Sequence, residues 1–481
     1  MKPLNIYTSP AAVKVASAKS EPSLLLIILA IATLLRITAL SQMLWYDEAY
    51  TAMLARLPLA QMVVATANDV HPPTWYLIEI AFVRLFGMSE ASLRLPSAIL
   101  GVLAVWLTYR LAKAIIPDQG ERYALMAAGL MAINPFAVYY SQEARMYALL
   151  MVAVLLACLG AVERRAWLLT LGVALTLMSH NLGVIYISFI ALATHKSDWR
   201  KNSVAMAAGA IPWLVWLPQL FRQATSGQFS GSYWISYFTG NSVARLLAEW
   251  AQLWFPHFQP GWTVWIGALI AFSLLIFPLL ELVRRRAGPA AVLAILVIGP
   301  GLLELAISAI WQPVILARTL VGCLPAWCIL IAWWITLPRR WNVPRMVLIG
   351  SAAGVIIATT ISLYSFERSP NMKNVIAWLN LNSQPSDIIC HTSESTRVFF
   401  DFYFPNRSTQ VSDAETDQCT WLLDERYIIT DPKVSSRADE LLVERHGELA
   451  LQVQKNPAIT ITTNLYRLIP LLNSALAMPA Y

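Results

Sequence analysis

The sequence predicts a polytopic α-helical membrane protein of about eleven transmembrane helices, carrying a small extracytoplasmic α/β domain at its C-terminal end. Three observations predict it. Of 481 residues, 57% are hydrophobic and only 13% are charged, where soluble domains carry about 25% charged residues. Apolar runs recur from Leu24 onward, many of them close to the ~20 residues that cross a bilayer. From about Glu367 the composition turns ordinary, and short helix-like and strand-like patterns alternate.

Residues 1–21 are polar and form an expected cytoplasmic tail. The first apolar run, about 22–40, is followed by no small-residue cleavage site and is expected to stay as a helix. Further spans are expected at about 94–113, 122–138, 144–162, 166–179, 181–195, 202–220, 261–283, 288–310, 315–337 and 344–364. The net charge of +7 is carried mostly by short loops between these runs. Lys14 and Lys19, Arg110 to Arg122, Arg164 and Arg165, Lys196 to Lys201, Arg284 to Arg286, and Arg339 to Arg345 all fall on one side if the N-terminus is cytoplasmic. That is the pattern of topology determinants. No nucleic-acid partner is expected.

This alternation leaves out Trp75 to Phe86, which is short and carries Glu79 and Arg84. It is expected to lie on the outer surface as an interfacial helix within a long outer loop, residues 41–93. A second outer loop, about 221–260, is rich in aromatics that are either interface anchors or substrate-facing groups. The membrane domain is thus expected over 22–366 and the outer domain over 367–481. Within the latter, 374–381, 396–403 and 435–445 read as helices, and 387–390, 427–430 and 459–468 as strands. Cys158, Cys323 and Cys328 fall in apolar runs and are expected to be buried thiols. Cys390 and Cys419 lie in the outer domain, where a disulfide can form.

The distinctive polar residues collect on the outer side of this topology. Asp47 and Glu48 directly follow the first span; His71-Pro72-Pro73 lies in the same loop. Glu143, Arg145 and Tyr147 stand at the outer end of the third and fourth spans, His180 at the turn between the fifth and sixth, and Arg318 at the start of the tenth span. Arginine forks match phosphate oxygens, and a carboxylate can take a proton from an attacking hydroxyl. Each residue also has a plainer reading. Asp47 and Glu48 can cap a helix starting near Ala49, and Pro72-Pro73 can open the interfacial helix. Glu143 and Arg145 can neutralise one another, Arg318 can snorkel, and His180 can be a hydrogen-bonded loop residue.

The ordered set resembles a known family. An acidic pair after the first span, His-Pro-Pro in the same loop, Arg94-Leu-Pro-Ser97, then Asn134-Pro-Phe and Gln142-Glu-Ala-Arg-Met-Tyr147 are similar to the pattern of protein O-mannosyltransferases and their bacterial relatives. These are GT-C membrane glycosyltransferases, a class that includes the lipid A aminoarabinose transferases. The resemblance covers about residues 22–195 well and weakens toward 364. It implies inverting transfer of a sugar from a polyprenyl-phosphate donor to a glycolipid, glycan or protein acceptor, at the outer face of a bacterial inner membrane. It further implies Asp47 as general base, Glu48 as its helper, and Arg145 and Arg318 as ligands of the carrier phosphate, with His71 lining the pocket. Metal use varies in the class; Asp47, Glu48, His71 and Glu143 are the candidates for a divalent cation. The aminoarabinose transferases have lysine where this chain has His71. The competing class is a transporter or flippase, which should hold ionisable groups mid-membrane; here Glu304 is the main such residue.

Overall fold

The computed structural model describes residues 21–67, 71–193, 198–225, 242–256, 261–311, 313–337, 343–411, 418–425, 438–439, 442–443, 447–456 and 459–468. They fall in two compact units, one bounded by Met1–Ser41 and Leu57–Phe366, the other by Gln42–Arg56 and Glu367–Tyr481. The segment Gln42–Arg56, inside the expected outer loop 41–93, therefore groups with the C-terminal residues.

In chain order the helices begin with α1 (Glu21–Ile37), α2 (Tyr46–Arg56), α3 (Leu59–Ala67), α4 (Thr74–Phe86) and α5 (Glu90–Ile115). They continue with α6 (Glu121–Ile133), α7 (Pro135–Tyr140), α8 (Tyr147–Val162), α9 (Ala166–Ser179), α10 (Gly183–Ala193) and α11 (Trp199–Thr225). Next come α12 (Ser242–Gln252), α13 (Gly261–Arg285), α14 (Gly288–Ile310), α15 (Leu324–Thr336) and α16 (Val343–Ser365). All but α2 belong to the first unit. Helix lies in each of the eleven expected spans. Among the described residues six helical segments are long and apolar enough to cross a membrane: Glu90–Ile115, Trp199–Gln223, Trp265–Arg285, Ala290–Ile310, Ala317–Thr336 and Arg345–Ser365. Ser23–Ile37, Tyr147–Val162, Ala166–Ser179 and Gly183–Leu192 are apolar but shorter.

Local sequence explains the boundaries. Pro73 directly precedes α4, as expected of a proline that opens a helix. Ser89 and Ser92 close a reciprocal capping box on α5. Asn134 caps α7 by accepting from the Ala137 N–H, and Pro135 fills the next position. The expected span 315–337 is continuous but not all α-helix: Ala317–Cys323 is a 3-10 turn, and α15 follows with Pro325 in its first turn. Helix α15 is the most buried of the long apolar helices, while α11 and α16 keep much of their surface apolar and exposed. Helices that show apolar side chains to the outside suit a lipid solvent.

Ion pairs join three of the expected cytoplasmic loops at one end of this unit. Arg110 pairs with Glu163 at 2.8 Å, and Arg164 with Asp198 at 3.1 Å. Lys201 donates to the Arg164 carbonyl. The aromatic loop buries part of itself: Trp254 is fully buried, with its ring 5.9 Å from Trp327 of α15. Tyr233, Trp234, Tyr237 and His257 lie outside the described residues.

The second unit contains α2, α17 (Pro370–Asn382), α18 (Glu394–Tyr403) and five strands: β1 (Ile388–His391), β2 (Ser408–Gln410), β3 (Cys419–Glu425), β4 (Glu448–Asn456) and β5 (Ile459–Arg467). The sheet order is β2-β1-β3-β5-β4. The first three strands are parallel, and β5 pairs antiparallel with both β3 and β4. Cys390 and Cys419 form a disulfide between β1 and β3 within a core of Val411, Leu422, Ala438 and Leu468. Cys158, Cys323 and Cys328 are buried free thiols, as expected. The expected strand 427–430 lies outside the described residues, and of the expected helix 435–445 only 438–439 and 442–443 are described, as helix.

Candidate functional site

The site in the first unit is built on the irregular turn between α7 and α8, residues Ser141 to Met146. Three other helices pin it. From α1, Arg36 donates to Ser141 Oγ at 3.2 Å, and the Leu35 carbonyl accepts from Gln142 at 2.6 Å. From α5, Ser97 Oγ donates to the Glu143 carbonyl at 2.5 Å and reaches the Arg145 carbonyl at 3.3 Å. From α4, the Trp75 indole N–H donates to the Ala144 carbonyl at 3.2 Å. Arg36 is itself fully buried, and its guanidinium also takes the Met131 and Ala132 carbonyls at the end of α6. A cation there offsets the negative end of the helix dipole. Packing adds to the constraint. A Cβ on Gly101 would sit 2.1 Å from Ser141 Oγ and 2.8 Å from Arg36 Nε, so only glycine lets α5 approach the turn this closely.

The pinned turn presents Glu143, Arg145 and Tyr147, all buried. Arg145 donates to the Tyr76 hydroxyl at 3.4 Å. Tyr147 opens α8, with its ring 4.8 Å from Tyr140 and 6.3 Å from His180. His71, immediately before Pro72, places its ring 5.3 Å from that of His180. Arg318 acts electrostatically on both histidines and on Tyr140, and Glu143 also acts on Tyr140. Six sequence-predicted residues (His71, Glu143, Arg145, Tyr147, His180 and Arg318) are thus brought together by segments far apart in the chain.

Charge in this pocket is predominantly positive. Burial, then Arg318 and Arg145, push the His180 pKa down to about 3. Burial, then Arg145, His180 and Arg318, hold His71 well below the usual histidine range. Both imidazoles are therefore neutral near pH 7. His180 Nδ1 accepts the Leu182 N–H at 3.1 Å, which assigns its proton to Nε2 and leaves that nitrogen as a donor. Among the described residues, His71 Nδ1 is shielded from solvent with no hydrogen-bond partner. Two guanidiniums and a neutral imidazole donor around tyrosine hydroxyls can bind a phosphate group.

Asp47 and Glu48 belong to the second unit, in the first turn of α2. Glu48 is fully buried, and its carboxylate accepts the Trp45 N–H at 3.2 Å. This is the capping reading of the acidic pair, realised by Glu48. Asp47 is half-buried, and its carbonyl accepts the Thr51 hydroxyl. Among the described residues no three His, Cys, Asp or Glu side chains group as a metal site. The four metal candidates divide between the units, His71 and Glu143 in one and Asp47 and Glu48 in the other. Residues that sequence reasoning passed over are Tyr76, Tyr140 and Arg36, while Ser97 stood in the Arg94-Leu-Pro-Ser97 motif without a role. For the first there was a signal: a helix opened by Pro73 sets Trp75 and Tyr76 in the turn next to His71.

Comparison with known structures gives the fold. The chain matches ArnT from Cupriavidus metallidurans in the apo state with a TM-score of 0.61, at 12% identity, over 93% of this chain and 98% of that one. At that identity the likeness is one of fold, and the chain shares the ArnT fold. ArnT bound to undecaprenyl phosphate matches with a TM-score of 0.60 at 13% identity, over 96% of this chain and all of that one. The Archaeoglobus fulgidus oligosaccharyltransferase in its apo form matches with a TM-score of 0.54 at 12% identity, over 84% of this chain and 69% of that one. The family model of dolichyl-phosphate-mannose-protein mannosyltransferase matches residues 70–221. That window holds His71, Glu143, Arg145, Tyr147 and His180, but neither Asp47 nor Arg318. A curated Bacillus subtilis (strain 168) protein, "Putative mannosyltransferase YycA", is 36% identical over 104 residues. The match covers 21% of this chain and 15% of the length of that relative.

Proposed function

We propose that this GT-C chain transfers a sugar from a polyprenyl-phosphate-linked donor to an acceptor hydroxyl at the outer face of the membrane, with inversion. The observation that carries this reading is the cationic cluster of buried Arg145 and His180 with half-buried Arg318. Its arginines would hold the carrier phosphate, which is both the lipid anchor's link and the leaving group. Fixed cations beside a leaving phosphate act most strongly on charge that grows in the transition state. Asp47 would be the general base that takes the proton of the acceptor hydroxyl as it attacks the anomeric carbon. The pinning of the 141–146 turn supports the phosphate role, since a site held by buried hydrogen bonds need not reorganise on binding. The undecaprenyl phosphate bound to ArnT, a protein of the same fold, fits the same donor class. The Cys390–Cys419 disulfide and the loop charges support an outer, oxidising location for the C-terminal domain.

The test is sugar transfer by purified full-length protein in nanodiscs. A panel of labelled polyprenyl-phosphate hexoses and pentoses is supplied, and loss of label from the lipid is followed with glycolipid, glycan or peptide acceptors. Release that depends on Arg145 and Asp47 is expected. Transport of intact donor across the bilayer without bond cleavage would sustain the flippase alternative instead.

A further inference from the structure

We propose that the C-terminal α/β domain is the mount for α2, and that Tyr403 and the Arg56–Asp401 pair are positioning residues that orient Asp47. The inference rests on the reading of Asp47 as the base, and it gives the domain a task within the same reaction.

Both ends of α2 are tied to one turn of α18. At the entry of α2, the backbone N–H of the fully buried Leu44 donates to the Tyr403 hydroxyl at 2.9 Å. At its exit, Arg56 donates to Asp401 Oδ2 at 2.9 Å and to the Asp401 carbonyl at 3.3 Å, with its guanidinium 5.7 Å from the centre of the Phe402 ring. Between these ties the helix buries Ala49, Thr51, Ala52, Leu54 and Ala55. Asp47 sits in the first turn, three residues after the bond to Tyr403, so its backbone inherits the placement of Leu44.

The other side of α18 is anchored in the sheet. Phe399 and Phe400 are buried, and the Phe400 ring lies 5.3 Å from His391 at the end of β1. His391 also exchanges a hydrogen bond with Thr396 in the first turn of α18. The next residue back, Cys390, is bonded to Cys419 of β3. A covalently cross-linked sheet therefore carries α18, and α18 carries α2. The Arg56 and Asp401 side chains are about a third exposed, and a pair of that kind adds little to stability. Its two-point geometry serves orientation instead, and misorientation of a reacting group costs rate steeply.

The experiment uses full-length protein with Tyr403→Phe, Arg56→Asp, Asp401→Arg and the double exchange Arg56→Asp/Asp401→Arg. Two readouts are taken: hydrogen exchange of residues 46–56 against that of β1 and β3, and kcat and KM for the labelled polyprenyl-phosphate sugar. Each single variant should lose protection in α2 but keep it in β1 and β3. Its kcat should fall roughly tenfold with donor KM unchanged, and the double exchange should restore what Arg56→Asp and Asp401→Arg each lose. Unchanged kcat in the single variants, no recovery in the double exchange, or equal loss of protection throughout the sheet would each overturn the assignment. A wild-type protein that transfers no sugar would sink the transferase reading; the exchange data would still decide whether α18 holds α2.

Discussion

The rings of His71 and His180 lie 5.3 Å apart and tilted by 52°, one before α4 and the other after α9. Two imidazoles at that separation would repel if both were charged. Burial, with Arg145 and Arg318 adding to it, settles the matter by disfavouring the charged form of each. The pair is a neutral, polarisable lining in a cationic pocket, and this has a consequence for pH. A sugar phosphodiester carries one fixed negative charge, so donor KM should be flat from about pH 5.5 to 8, where an ordinary histidine near 6.5 would titrate. An inflection near 6.5 that disappears in His180→Gln would show the ring to be titrating normally.

Arg145→Lys keeps the charge and loses the planar fork. Hydrogen bonds to charged groups contribute about 1.5–3 kcal/mol, so kcat/KM should fall roughly 10- to 100-fold. Titration of undecaprenyl phosphate into Arg145→Lys and Arg145→Ala, followed by tryptophan fluorescence, should rank the affinities wild type, Lys, Ala. Equal affinity in all three would remove Arg145 from the phosphate site.

Gly101→Ala tests whether the pinned turn is a mechanical unit. The new methyl group meets Ser141 and the buried Arg36 at the distances given above, and overpacking of this kind costs about 1–3 kcal/mol. Thermal unfolding in detergent should shift down, and donor binding should weaken with it. Ser97→Ala, which removes the donor to the Glu143 and Arg145 carbonyls without adding volume, should weaken binding with a smaller loss of stability.

Burial and the nearby Arg397 push the His391 pKa down to about 3. The unfolded chain takes up a proton near pH 6.5 that the folded domain refuses, so stability is full above 6.5 and falls as the pH drops toward 3. Between pH 7 and 5 the loss should be on the order of 2 kcal/mol. Hydrogen exchange of β1 and β3, corrected for the intrinsic pH effect, should show it. His391→Phe should flatten the dependence.

Much of this structure was legible in the sequence because it is local. Apolar runs marked every long helix, Pro73 and Asn134 marked helix starts, and alternation marked β1 and β5. The plainer reading of the acidic pair, a cap on a helix starting near Ala49, places the start three residues late: α2 opens at Tyr46 and holds both acids in its first turn. What escaped depends on contacts between distant residues. Strand β4, Glu448–Asn456, carries Glu448, Gln452 and Gln454 among its apolar residues and becomes a strand by pairing with β5. The 3-10 turn Ala317–Cys323 packs on a distant residue, since a side chain at Gly322 would meet the Tyr186 ring. Of the candidate site, the charged members were visible by type. Tyr76 was not, and Ser97 showed only as part of a motif, because their importance lies in what they touch.

The bond from Leu44 to Tyr403 closes 359 residues of chain, and that from Arg56 to Asp401 closes 345. A ribosome adding about 5–20 residues per second delivers α2 roughly half a minute before α18. For that interval the helix with the acidic pair has no α18 to lie on. A chain released early, anywhere between Phe366 and Tyr403, would own every residue of the cationic pocket yet lack the partner that completes α2. The enzyme proposed here then lacks the support of its base until the C-terminal α/β domain has been made, which delays the onset of activity.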